Sequence, residues 1–210
     1  MDLRGAEEMI LPPFDKQEVV AQLDRLAGQD IVKQWKADEI EQIWSRGGGY
    51  PFNNHILASH EPDEFPHALW ECAQMHLDEV DGDSHDHFWA LCVLTEFDEH
   101  RMPPLLATWW NETNIPDLPG CRKIRVEMVA TRLARWDSVR GAYVMDEALR
   151  KVLEEALRSN QEPRWRALHR AAYELYRDWA ENYPNSPWEV LRDYHQKSLP
   201  SETRNPEQEA

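Results

Sequence analysis

The sequence predicts an all-α fold. Apolar residues recur at three- and four-residue spacing through most of the chain. The breaks between these stretches fall at Gly, Pro and helix-capping residues, and no two alternating runs are joined by a hairpin turn. The expected architecture is a single globular multi-helix domain of about eight helices. It spans 14–197, with 114–120 as the candidate subdivision.

Residues 1–13 read as an irregular lead-in ending in Pro12-Pro13. Asp15 and Glu18 have capping-box spacing, Phe14 can staple onto Val19, and Val19, Val20, Leu23 and Leu26 form the first apolar stripe. Asp30 is placed to cap a second helix carrying Ile31, Val32, Trp35, Ile40, Ile43 and Trp44, which Gly47-Gly48-Gly49 stops. Residues 50–62 read as a loop. Phe65, Leu69, Cys72, Ala73, His76 and Val80 mark a third helix. Asp81-Gly82-Asp83-Ser84 reads as a turn, with Ser84 capping a centrally buried helix over about 85–99.

Pro103-Pro104 breaks the chain before a short helix at 105–110. Residues 121–140 fit both periods: Ile124, Val126, Met128 and Ala130 alternate, whereas Ile124, Met128, Val129, Leu133 and Trp136 suit a helix. The scarcity of other strand patterns favours the helix. Asp146 caps the next helix, through Leu157. The longest stripe follows Pro163: Trp165, Leu168, Ala172, Leu175, Tyr176, Trp179 and Tyr183. Ser186-Pro187-Trp188-Glu189 is a capping box that starts a last helix. The polar tail 198–210 is expected to be disordered.

Charge decides which functions to weigh. With 39 acidic against 23 basic residues and a formal charge of −16, the chain is unsuited to binding nucleic acid directly by phosphate neutralisation. Anionic membrane surfaces should repel it. The N-terminus holds no apolar run suited to a signal peptide, and Cys72, Cys92 and Cys121 have no paired spacing, so reduced thiols in a cytoplasmic protein are expected. The charge is uneven. Residues 1–100 hold 22 Asp/Glu against 6 Lys/Arg, and residues 101–210 hold 17 of each. From Gly47 to His100 there is no Lys or Arg, and this block holds seven of the nine histidines. Residues 120–140 are locally basic.

The densest candidate for chemistry is Asp81-Gly-Asp-Ser-His-Asp-His87. A divalent metal could use His76, Asp83, His85 and His87, which would make the chain a metal-dependent helical enzyme. The spacing fits no zinc or EF-hand template. His85-Asp86 also spells the dyad of all-helical phosphohydrolases, with His55 or His60 upstream and Asp137 or Asp146 downstream; here the lead-in Val80–Ser84 is polar rather than apolar. No Gly-x-Ser-x-Gly elbow is present, and the triple glycine lacks the Lys-Ser/Thr of a P-loop.

A one-sign block beyond what solubility needs suits a basic partner, because carboxylates on a rigid helix steer and orient association. The favoured expectation is therefore a non-enzymatic, cofactor-free binding protein that neutralises or docks onto a basic protein. The analogy is an inhibitor or immunity protein against a nuclease toxin or other nucleic-acid-binding protein; an adaptor subunit of a larger complex is the alternative, and a homo-oligomer is compatible with either. The expected contact residues are Glu61, Asp63, Glu64, Asp78, Glu79, Asp81, Asp83 and Asp86, with one of Trp109 and Trp110 exposed as an anchor. The same carboxylates should raise the pKa of neighbouring histidines.

Overall fold

The computed structural model describes residues 12–78, 80, 82–111, 115–184 and 187–200, and for Asp83 the backbone alone. The described residues form ten α-helices, one 3-10 turn and one two-stranded hairpin, so the fold is essentially all-α. The chain divides into two compact units between Pro62 and Asp63. Residues 114–120, the subdivision suggested by sequence, lie inside the second unit.

The first unit is built from α1 (Lys16–Ala27), α2 (Ala37–Gly47) and α3 (Pro51–Ala58). The Asp15–Glu18 capping box forms in both directions, each hydrogen bond 2.8 Å long. Asp15→Ala is expected to cost about 1 kcal/mol in a urea unfolding experiment, the usual loss for a cap. Val19 and Leu23 of α1, Ile40 and Ile43 of α2 and Leu57 of α3 are buried as the core. Asp30 caps nothing. It takes a positive φ of 56°, and the N–H groups of Asp30 and Ile31 turn back onto the last carbonyls of α1. The second helix therefore starts later than expected, where the Lys36 N–H donates to the Glu39 carboxylate.

The expected loop at 50–62 is largely helix. Asn53 and Asn54 resemble turn formers, but both are buried: Asn53 donates to the Gly47 carbonyl and Asn54 to the Gln22 side chain. The glycines before them are required by close approach as well as by the helix stop. A Cβ on Gly47 would sit 2.4 Å from Asn54 Oδ1, and one on Gly49 (φ 78°) would sit 2.3 Å from the Phe14 carbonyl oxygen.

The second unit contains α4 (Phe65–Leu77), α5 (Gly82–Leu91), α6 (Met102–Trp109), α7 (Leu118–Ala130), β1 (Ala134–Asp137), β2 (Ala142–Met145), α8 (Glu147–Asn160), α9 (Glu162–Asn182) and α10 (Trp188–Lys197). α4 packs on α8, and α9 packs on α10, α6 and α8, with α5 between α6, α7 and α8. Phe88 to Leu94 is a continuous buried run, as its all-round apolar character predicts. This helix begins at Gly82 and stops at Leu91, short of the expected 99, because Phe97 exchanges backbone hydrogen bonds with Tyr143 beside β2.

The ambiguous stretch 121–140 resolves as helix and then hairpin. Arg132, with φ 65°, ends the helical path. β1 and β2 then pair antiparallel, Trp136 opposite Tyr143. The Asp137 carboxylate accepts from the N–H groups of Val139 and Arg140, closing the turn. Asp146 caps α8 through the Leu149 N–H, as expected. Ser186, the expected cap of the last helix, lies outside the described residues, and Pro187 occupies the N-cap position. The tail was expected to loosen from 198, yet Leu199 is buried; residues 201–210 lie outside the description. No described helix is long and apolar enough to cross a membrane.

Candidate functional site

α4 carries the clearest surface feature. One side of it (Phe65, Ala68, Leu69, Cys72, Ala73, Leu77) is buried against the unit. The other side exposes Glu64, His67, Glu71, Met75 and Asp78, spaced three or four apart, and Asp63 is exposed just before it. Met75 is 49% exposed within this acidic row. His67 Nε2 lies 3.1 Å from Glu71 Oε1. The face therefore combines carboxylates, an imidazole and one soft apolar side chain, with no Lys or Arg on the helix.

The rest of the acidic block divides by use. Glu61 belongs to the first unit, where Lys33 pairs with it. Glu79 and Asp81 lie outside the described residues, as does the side chain of Asp83. Glu96 and Asp98 hold Arg101, at 2.9 and 3.0 Å. Glu99 receives Arg125 at 3.1 Å and Arg122 at 3.6 Å, so the basic segment does neutralise part of the block. Asp86 is half-buried and accepts the Trp110 indole N–H at 3.4 Å.

Trp109, weighed as an exposed anchor, is buried. Trp70 stacks on Trp89 at 4.7 Å, Trp89 lies parallel to Trp109 at 6.5 Å, and the Arg164 guanidinium covers Trp109 at 3.9 Å. Trp110 is half-buried, edge-on to His87 at 5.8 Å.

Of the expected metal ligands, His76, His85 and His87 are described with their side chains and Asp83 by its backbone alone. His85 and His87 lie on a helix rather than a loop, and two residues along a helix point to different sides. His85 Nε2 sits 3.0 Å from the Val80 carbonyl, and His87 is buried. Among the described residues no group of three or more His, Cys, Asp or Glu is arranged to hold a metal ion. Of the downstream acids of the phosphohydrolase alternative, Asp137 closes the hairpin turn and Asp146 caps α8. His76 departs from the expected rise in pKa. Burial lowers it, and the nearby Asp146 carboxylate only partly opposes that. Burial pushes the Cys72 thiol up to about 12 and Cys121 up to about 11, so both resist becoming thiolates at neutral pH.

The strongest electrostatic feature lies inside the second unit. Arg150, 3% exposed, grips Glu147 through Nε and a terminal nitrogen (3.0 and 2.7 Å) and Glu154 at 2.9 Å. Burial works against the guanidinium charge, but the Glu147 hydrogen bonds and both carboxylates outweigh it and hold Arg150 firmly protonated. Burial likewise raises the Glu154 carboxyl, yet His169 and Arg150 outweigh that and keep it below its ordinary value. Tyr194 donates to Glu154 at 3.1 Å, and His169 Nε2 lies 3.5 Å from Glu154 Oε1.

His169 and His195 are fully buried with their Nδ1 atoms 2.9 Å apart. One ring must donate and the other accept, so the pair binds only one Nδ1 proton. Burial, with the neighbouring His169, lowers His195 to about 3. The unfolded chain takes up the further proton that charges His195 near the ordinary imidazole value, and the folded chain resists it. Stability is then full above about pH 6.5 and lost as pH falls toward 3. Between pH 6.5 and 5 the expected loss is about 2 kcal/mol, read by urea unfolding, and His195→Phe should flatten that slope. A persistent slope in the variant would assign it to other groups. This network joins α8, α9 and α10 through the buried Arg150, His169 and His195 and acts as a structural latch.

Sequence reasoning passed over this pair because both histidines lie outside the acidic block. The available signal was spacing: His169 falls four after Trp165, within the longest apolar stripe. No protein-family model, no curated protein and no solved structure matches the chain.

Proposed function

We propose that the chain is a docking protein whose α4 face engages a basic partner, in the manner of an inhibitor or immunity protein against a nuclease or another nucleic-acid-binding protein. The observation that carries this reading is the acidic outer side of α4, with Met75 exposed among Asp63, Glu64, Glu71 and Asp78. Glu96, Asp98 and Glu99 pair with arginines of the same unit, whereas Asp63, Glu64, Glu71 and Asp78 are exposed. Such a row can take the place of phosphates in a basic site, while Met75 adapts its shape to an apolar contact.

The test is affinity capture from the source cell with three baits: the wild type, an α4 variant (Asp63→Asn, Glu64→Gln, Glu71→Gln, Asp78→Asn) and an α9 control with the same change in charge (Glu162→Gln, Glu174→Gln, Asp178→Asn, Glu181→Gln). A basic protein held by the wild type and the α9 control but lost by the α4 variant supports the proposal. Equal capture by all three baits, or no basic protein at all, refutes it.

A further inference from the structure

A second surface of the same unit has the opposite character. The buried side of α7 is Cys121, Ile124 and Met128, which leaves Val126 near the centre of its outer side, 57% exposed. Arg122 and Lys123 flank it, their side chains 74% and 80% exposed, with Glu99 3.6 Å from Arg122 and Glu127 3.7 Å from Lys123. Leu118, at the start of the helix, and Ile115 before it are exposed too.

The hairpin extends this surface. Trp136 is 52% exposed, with its ring edge-on to Tyr143 at 5.0 Å, and Tyr143 lies under the Arg125 guanidinium of α7 at 4.6 Å. Val139, at the hairpin turn, is almost wholly exposed. Half of the ten exposed large apolar side chains among the described residues thus fall within 115–139. That concentration, beside a helix with Arg122, Lys123 and Arg125 against the single acid Glu127, is an interface composition rather than a scatter of single exposed residues.

We propose that the α7–hairpin face docks the α4 face of a second copy of this chain. This rests on reading α4 as a docking face. Charge complementarity selects the occupant, since α7 is net cationic, with Arg122, Lys123 and Arg125 against Glu127, and the α4 face carries acids and no Lys or Arg. The sizes also agree. α4 and α7 each have 13 residues, about 20 Å of helix. At moderate salt the screening length is about 8 Å, so local complementarity acts while the net repulsion between copies is damped. Each copy carries both faces, so the contact builds either a closed dimer with two such contacts or an open chain. Self-association then covers α4 and competes with the basic partner.

Sedimentation velocity of the full chain at up to about 100 µM tests this, that range being where weak contacts populate. The wild type should associate. An α7 variant (Lys123→Glu, Val126→Glu) and the α4 variant should each remain monomeric. An equimolar mixture of the two should restore a heterodimer, because one copy keeps an intact α4 and the other an intact α7. A monomeric wild type overturns the proposal, as does association that survives in either variant or a mixture that stays monomeric. The α7 variant is also offered to the captured basic partner. If it binds the partner and does not self-associate, both readings stand. If it binds the partner but the wild type is monomeric, only the self-association fails.

Discussion

Arg150→Met is expected to destabilise the second unit by about 3–5 kcal/mol, the cost of breaking a buried ion pair from one side. The guanidinium sits among Glu147, Glu154 and the Cys92 carbonyl, and its side chain is 4% exposed. Methionine fills a similar volume, so packing changes little. What remains is the Glu154 carboxylate, 15% exposed at its side chain, without its main counter-charge. It must either stay ionised beside His169 or take up a proton. Urea unfolding of Arg150→Met at neutral pH measures the loss. The double variant Arg150→Met, Glu154→Gln should recover a substantial part of it, because the stranded charge is gone. A loss below about 1 kcal/mol would mean that water already supports Glu154.

Gly49→Ala should cost about 3 kcal/mol in the first unit, through two separable effects. A left-handed residue with a Cβ costs about 1–2 kcal/mol. The added carbon also meets the Phe14 carbonyl oxygen at 2.3 Å. To relieve that contact Phe14 must move, straining its N–H bond to the Gly49 carbonyl (2.8 Å) and the Trp44 indole bond to its own carbonyl (3.3 Å). Gly141→Ala is the control. Its φ is 64°, but nothing lies within 4 Å of the added carbon, so only the conformational cost of about 1–2 kcal/mol applies. Equal losses for the two variants, measured by urea unfolding, would show that Phe14 yields freely.

What could be read from sequence follows from how local each determinant is. Capping at Asp15 and Asp146 and the long stripe from Trp165 to Trp179 rest on neighbours in the chain, and they appear in the fold, whereas Tyr183, expected in that stripe, is exposed beyond the helix. The stop at Leu91, the helix at 51–58 and the hairpin at 134–145 depend on distant partners: Tyr143 for Phe97, Gln22 for Asn54, and Phe97 again for the hairpin. No window of sequence contains those partners. The site follows the same rule. Exposure of Asp63, Glu64 and Asp78 follows from helical spacing around α4, whereas the pairing of Glu99 with Arg122 and Arg125 needs the tertiary fold. Trp109 reads as a surface anchor by its neighbour Trp110, yet Trp89 and Arg164 enclose it.

The central claim is that the acidic side of α4 binds a basic protein through charge. Its most direct measurement is the dissociation constant of the captured basic protein, by calorimetry, from about 50 mM to about 300 mM salt. The wild type should weaken by at least about tenfold across that range, and the α4 variant should bind about tenfold or more weakly at the low-salt end with a shallower slope. An affinity insensitive to salt, or unchanged in the α4 variant, would place the contact elsewhere on the molecule.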